Sequence, residues 1–200
     1  MTAAFDNFLK QYNSSGSQKA DGYNQSHFKN LTNTEKYKAF ELLEEELIAP
    51  DVTDWLLYLD ESRAINTMKQ YISNVTPGTT AGVHRIYNAL YKATGDQQYL
   101  DGLINSYKDY FDWEKEEALW LIRNNNPAIE TTNNLYKNIL NTEENPKAQA
   151  LAADFYLRNK GYTCNSKEES KSFFNLKEQL ISLNINERKN LLANLESQDI

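Results

Sequence analysis

The side chains with the widest chemical reach are few: two histidines, His27 and His84, and one cysteine, Cys164. They form no H-E-x-x-H, C-x-x-C or mixed Cys/His pattern, so neither a metal nor another cofactor is expected. Carboxylates are plentiful, with 28 Asp and Glu. Glu44, Glu45 and Glu46 are consecutive, and consecutive side chains diverge around a helix, which is poor geometry for a shared metal. Asp51 and Asp54 fall one turn apart at a helix start, where the macrodipole favours acids without any catalytic role. A glycosidase-like pair needs two carboxyl groups roughly 5 to 9.5 Å apart, a distance that sequence alone does not specify. No G-x-G-x-x-G, G-x-x-x-x-G-K-[ST] or G-x-S-x-G motif is present to cradle a phosphate or raise a nucleophile. His84, between Val83 and Arg85, reads as a structural or exposed imidazole. The expectation is a protein that is not an enzyme, with a helical enzyme built on a carboxylate site as an alternative.

Recognition is a better use for what remains. In "DWEKEEALWLIRNNN" (112–126), Ala118, Leu119, Leu121 and Ile122 cluster on one helical face. Trp113 and Trp120 fall nearly opposite, with Glu116 and Glu117 beside them and Arg123 nearby. A tryptophan buries up to ~250 Å², and aromatic residues are enriched at binding hot spots. Two readings stand. Either both faces of this helix are buried between neighbouring helices, or the tryptophans anchor an interface for a basic protein. A second polar face belongs to the helix from Asp96, where Gln98, Asp101, Asn105, Lys108 and Asp109 lie away from the apolar stripe. The candidate protein-binding surface is therefore Gln98, Asp101, Asn105, Asp109, Trp113, Glu116, Glu117 and Trp120.

Those residues need helices to hold them, and the helical signals follow one another closely. Thr32 with Glu35 forms a capping-box pattern opening a helix to about Ala49, where Pro50 prevents simple continuation. "DVTDWLLYLD" makes a short apolar helix and residues 62–73 another. Val83, Ile86, Tyr87, Leu90 and Tyr91 stand at i, i+3, i+4, i+7 and i+8, one stripe of a helix. Gly95 follows as a left-handed C′ residue, and Asp96 is suited to cap the next helix, whose stripe is Tyr99, Leu100, Leu103, Ile104 and Tyr107. Thr94-Gly95-Asp96 is thus a joint between helices and not a site. Further helices are expected from Trp113 to Asn124, from Pro127 at N1 to about Asn141, and from Pro146 to Lys160 before Gly161. Two more run from about Ser166 to Leu183 and from Asn186 to Ser197. Starts this close together require consecutive helices to pack as antiparallel neighbours.

Composition agrees. Two hundred residues with 40% apolar content can bury a sizeable core, while 7 Gly and 4 Pro leave little turn punctuation for an all-β chain. A net charge of −7 opposes binding to nucleic acid or to an anionic membrane, and suits a basic protein partner. One cysteine excludes an internal disulfide. No apolar run approaches ~18 residues, and "MTAAFDNFLK" lacks a charged n-region followed by an apolar h-region, so a soluble, cytoplasmic protein is expected. "NSSGSQKADG" (13–22) reads as a flexible linker. Residues 1–22 are then an N-terminal helix with its linker, and residues 23–200 a single helical-repeat domain.

"ESRAINTM" (61–68) and "DQQYLDGL" (96–103) echo each other in polarity, and helix pairs repeating at this kind of period mark α-solenoids. "YLDESRAINTMKQYI", with Asp60, Arg63, Ala64 and Ile65 between two helices, resembles the inter-helix region of a degenerate HEAT-type repeat. "LYKATGDQQYLDGLI" resembles a second such joint, without the arginine. The resemblance covers about residues 32–160. It implies an all-α, antiparallel helix-pair array (a HEAT-like α-solenoid) of about ten helices, with second helices lining a concave face that takes in "TTNNLYKN" (131–138). Small acidic proteins of this kind are similar to bacterial immunity proteins, which implies a chain that binds and occludes a cognate basic toxin domain. A helical-repeat adaptor that binds peptides or protein partners is the alternative.

Overall fold

The computed structural model describes residues 1–197, and its helices begin and end where the side chains can satisfy their orphan backbone groups. Thr32 accepts from the Glu35 N–H while Glu35 accepts from the Thr32 N–H, closing the capping box that opens one helix. Gly95, at φ 68°, closes another by returning its N–H to Tyr91. One residue later Asp96 accepts from the Gln98 N–H to open the next. Thr94-Gly95-Asp96 is the joint expected from sequence.

All regular structure among the described residues is helical, with no β-strand. Twelve α-helices are present there, compared with about ten expected. The chain divides into two compact units, Met1–Tyr110 and a second beginning at Phe111. Residues 1–22 lie in the first unit, and the chain from residue 23 runs through both.

The first unit holds α1 (Ala3–Tyr12), α2 (Ser17–Ala20), α3 (Asn33–Glu45), α4 (Val52–Leu59), α5 (Glu61–Asn74), α6 (Val83–Thr94) and α7 (Gln97–Asn105). From α3 onward each helix packs on the next, the arrangement that short connections impose. Their inward stripes supply Phe40, Leu43, Leu56, Met68, Ile86 and Leu90 to one core. Each such side chain contributes about 1.5–3 kcal/mol before conformational entropy is charged. Helix α1 adds Phe5 and Phe8, the latter 5.5 Å from the Phe28 ring. In residues 13–22, α2 is held by Lys19, which bonds Glu46 at 2.7 Å and lies over the Tyr12 ring.

Two side-chain arrangements explain joints in this unit. Asp60 caps α5 through the Arg63 N–H, while the Arg63 guanidinium lies over the Phe40 ring at 4.1 Å and bonds Glu44 at 3.1 Å. Gly102 sits inside α7 because α6 approaches it there: a Cβ would stand 2.5 Å from the Tyr87 ring. A mid-helix glycine is otherwise unfavourable by roughly 1 kcal/mol relative to alanine.

The second unit holds α8 (Asp112–Asn124), α9 (Ile129–Thr142), α10 (Pro146–Asn159), α11 (Lys167–Ser182) and α12 (Ile185–Ser197). Helix α10 is central, packed against α8, α9 and α11. Its fully buried Ala148, Ala152 and Ala153 let neighbours approach closely, and Tyr156, Phe155 and Leu157 fill the rest of its perimeter. Buried Arg188 of α12 donates to the Leu140, Ile181 and Leu183 carbonyls, answering acceptors left open at the ends of α9 and α11. Pro146 occupies the first turn expected of it, capped by Asn145. Pro127 does not. Asn126 is left-handed and Ala128 extended, so α9 begins at Ile129, two residues later than the proline suggested. No described helix is long and apolar enough to cross a membrane.

Candidate functional site

Helix α8 is set by its ends. The Glu114 carboxylate accepts from the Phe111 N–H, Asp112 and Glu114 place negative charge in the first turn, and Arg123 places positive charge in the last. Ala118, Leu119 and Ile122 are fully buried against the rest of the second unit. Leu121, expected with them, is only half-buried because its position turns toward the flank.

Trp113 and Trp120 point outward, 61% and 50% exposed, two helical turns apart. Burial of both faces between neighbouring helices therefore does not describe α8. Phe111, 37% exposed, stacks parallel to Trp113 with an interplanar angle of 3° and centroids 6.2 Å apart. Trp120 sets its indole edge-on to buried Phe155 at 4.9 Å, so half of the ring is seated in the core and half projects. Such pre-seated aromatics lose little side-chain entropy when a partner covers them.

Carboxylates surround this strip. Glu116 is half-buried and 3.4 Å from the Lys147 ammonium, and Glu117 is half-buried beside it. Asp112 is largely exposed and takes one hydrogen bond from Lys115. Buried Lys115 also contacts Glu143 at 2.8 Å. Burial alone would lower the Lys115 pKa, but its hydrogen bonds to Glu143 and Asp112 outweigh that and raise it. Burial would likewise raise Glu143, and its bonds from Lys115 and the Asn145 N–H bring it down instead. The ammonium thus stays charged beneath the surface, underpinning the loop that carries Glu143.

The candidate residues of α7, and Asp109 in the 3-10 turn Tyr107–Asp109 that follows it and not on the helix as expected, behave differently. Gln98, Asp101, Asn105 and Asp109 are all exposed. Gln98 bonds Asp96 at 2.6 Å and Asp101 receives a bond from Gln97 at 2.9 Å. No large exposed apolar side chain lies on α7, so this is a solvated polar face with local hydrogen bonds. These four residues belong to the first unit and Trp113, Glu116, Glu117 and Trp120 to the second. In "TTNNLYKN", Thr131, Asn134 and Asn138 are exposed, whereas Thr132 and Tyr136 are buried.

Both histidines have structural settings. His84 is fully buried in the first unit with its ring 5.5 Å from that of Tyr110. His27 accepts from the Asn24 N–H at 2.9 Å, and burial lowers its pKa. Among the described residues no group of three or more His, Cys, Asp or Glu side chains is placed to hold a metal ion. Sequence reading missed a cleft at the start of α9, formed by Arg123, Tyr136 and Asn159. Its members come from three helices: Arg123 and the stretch holding Tyr136 were noted separately, and Asn159 was not noted at all.

Comparison with known proteins gives no match: no family model, no curated protein and no solved structure is significantly similar to this chain.

Proposed function

We propose that this chain is a protein-binding module that grips a basic partner through the aromatic and acidic strip of α8. The observation that carries the reading is the pair of half-projecting tryptophans, Trp113 and Trp120, on a helix whose opposite face is fully buried. Folding does not require two large apolar rings in water. A partner that covers them gains about 25 cal/mol for each Å² of apolar surface removed. Asp112, Glu116 and Glu117 flank the rings and the chain as a whole carries −7, so an electropositive partner is steered in and a polyanion is excluded.

The specific partner that fits is a basic toxin effector domain. The chain would neutralise it as an immunity protein by covering the surface that otherwise meets a polyanion. Binding is stoichiometric, with carboxylates setting the encounter rate and the tryptophans setting residence time. The test pairs the purified chain with the polypeptide encoded immediately upstream of it. A one-to-one complex that weakens with salt, and growth rescue on co-expression, are the expected results. No complex at low salt contradicts the toxin reading, and a complex unaffected by Trp113→Ala with Trp120→Ala contradicts the surface.

A further inference from the structure

A cleft of about 350 Å³ opens in the second unit where the end of α8, the first turn of α9 and the end of α10 meet. Its walls include Arg123, Pro127, Ile129, Thr132, Tyr136 and Asn159. Tyr136 is fully buried, and its hydroxyl donates to no acceptor, while Arg123 lies close enough to direct an N–H at its oxygen. An unanswered buried polar group costs about 1–3 kcal/mol, so a ligand that supplies an acceptor there recovers that loss. Burial pushes the phenol up to about 12, against the opposing influence of nearby Arg123, and the group is therefore a donor at neutral pH.

Arg123 is held for the same task. Its guanidinium lies 5.5 Å from the Phe155 ring centroid, and one arm donates to the Asn159 side-chain carbonyl. The Asn159 amide is fixed in turn by donating to Thr132 Oγ1 at 3.0 Å and Asn133 Oδ1 at 2.9 Å. One arm is thus committed, and the planar fork retains further N–H donors. The third source of positive potential is α9 itself. It is 14 residues long, and its N-cap residue, Ala128, provides no side-chain cap, so its first-turn N–H groups have no side-chain acceptor. Among the described residues no carboxylate lines the cleft. Pro127 and the exposed Ile129 give its rim an apolar edge.

We infer that this cleft binds a carboxylate carried next to an apolar group, whether a small free acid or the terminal residue of a polypeptide. The guanidinium and the phenol each donate to one carboxylate oxygen, and the apolar substituent covers Pro127 and Ile129. A phosphate fits the donor set less well, because its additional charge and third oxygen find no second cation. Trp120 and Arg123 both pack on Phe155, but no tryptophan lines the cleft, and the inference does not depend on their role.

Nuclear magnetic resonance of the ¹⁵N-labelled full chain tests it with four probes. These are N-acetyl-leucine, its amide, and a short leucine-terminated peptide as free acid and as amide. The acids shift the Arg123 side-chain resonance and the backbone signals of Ile129 and Thr132, and the amides do not. Tyr136→Phe, which keeps the ring in the core, and Arg123→Gln each weaken the acid by about tenfold, the size expected for one charge-assisted hydrogen bond. Thermal melts establish that both variants are folded, and Trp113→Ala leaves the titration unchanged. A peptide acid binding much tighter than N-acetyl-leucine identifies a polypeptide terminus as the ligand, and equal affinities identify a small acid. Equal responses to acid and amide, no response to either, or wild-type affinity in both cleft variants overturns the inference.

Discussion

The carboxylate of Glu35 lies 2.7 Å from the backbone nitrogen of Thr2, a residue 33 positions away in the chain. The same carboxylate accepts from the Thr32 N–H at 2.9 Å. One buried side chain therefore holds the N-cap residue of α1 and the N-cap residue of α3 together. The two N–H donors, Thr2 first and Thr32 second, push its pKa down to about 2. Because the folded value is depressed, the stabilisation is complete above the ordinary carboxylate range and disappears as pH falls through the folded value. Glu35→Gln should lower the melting temperature at neutral pH. The gap from wild type should close as pH falls toward about 2. Melts followed by circular dichroism across that range check both statements.

The Thr32–Glu35 half of this arrangement was legible in sequence, since a capping box is a local pattern. The Thr2 half was not, because nothing local tells α1 which helix it will meet. The same division runs through the chain. Gly95 and Asp96 announced their joint, and the stripe from Val83 to Tyr91 announced α6. Pro127 misled because the left-handed turn at Asn126 depends on how α8 ends. On α8, composition identified the core face and the tryptophans opposite it, but their exposure depends on which helices pack alongside. The Arg123–Tyr136–Asn159 cleft was invisible for the same reason, as three helices must converge before it exists.

Gly102 was passed over entirely, since a glycine within an apolar stripe carries no sign of what approaches it. With a Cβ 2.5 Å from the Tyr87 ring, Gly102→Ala should cost about 1–3 kcal/mol through overpacking, less the ~1 kcal/mol helix-propensity gain. Combining it with Tyr87→Ala should remove most of that added penalty. Urea unfolding of the single and double variants measures the coupling, and strict additivity would show that the two residues do not meet.

Arg188 offers a parallel test in the second unit. Replacing it with alanine leaves the Leu140, Ile181 and Leu183 carbonyls without their donor. Each one that water cannot reach costs about 1–3 kcal/mol. Arg188→Lys, with a single ammonium in place of the fork, should recover only part of the loss in chemical denaturation.

The α8 tryptophans should separate stability from recognition. Trp113→Ala, at a largely exposed position, should change stability by no more than about 0.5 kcal/mol. Trp120→Ala gives up its edge contact with Phe155, worth about 0.5–1.5 kcal/mol, along with some burial. Differential scanning calorimetry of the two variants checks this order, and equal, large losses would mean that both rings are structural.

Titration calorimetry of the wild-type chain and the Trp113→Ala/Trp120→Ala variant against the upstream-encoded polypeptide, proposed above as the partner, tests most directly whether α8 presents a binding strip. Loss of at least about 2 kcal/mol of binding free energy, with the variant still folded, is the predicted result. Unchanged affinity in a folded double variant would contradict it.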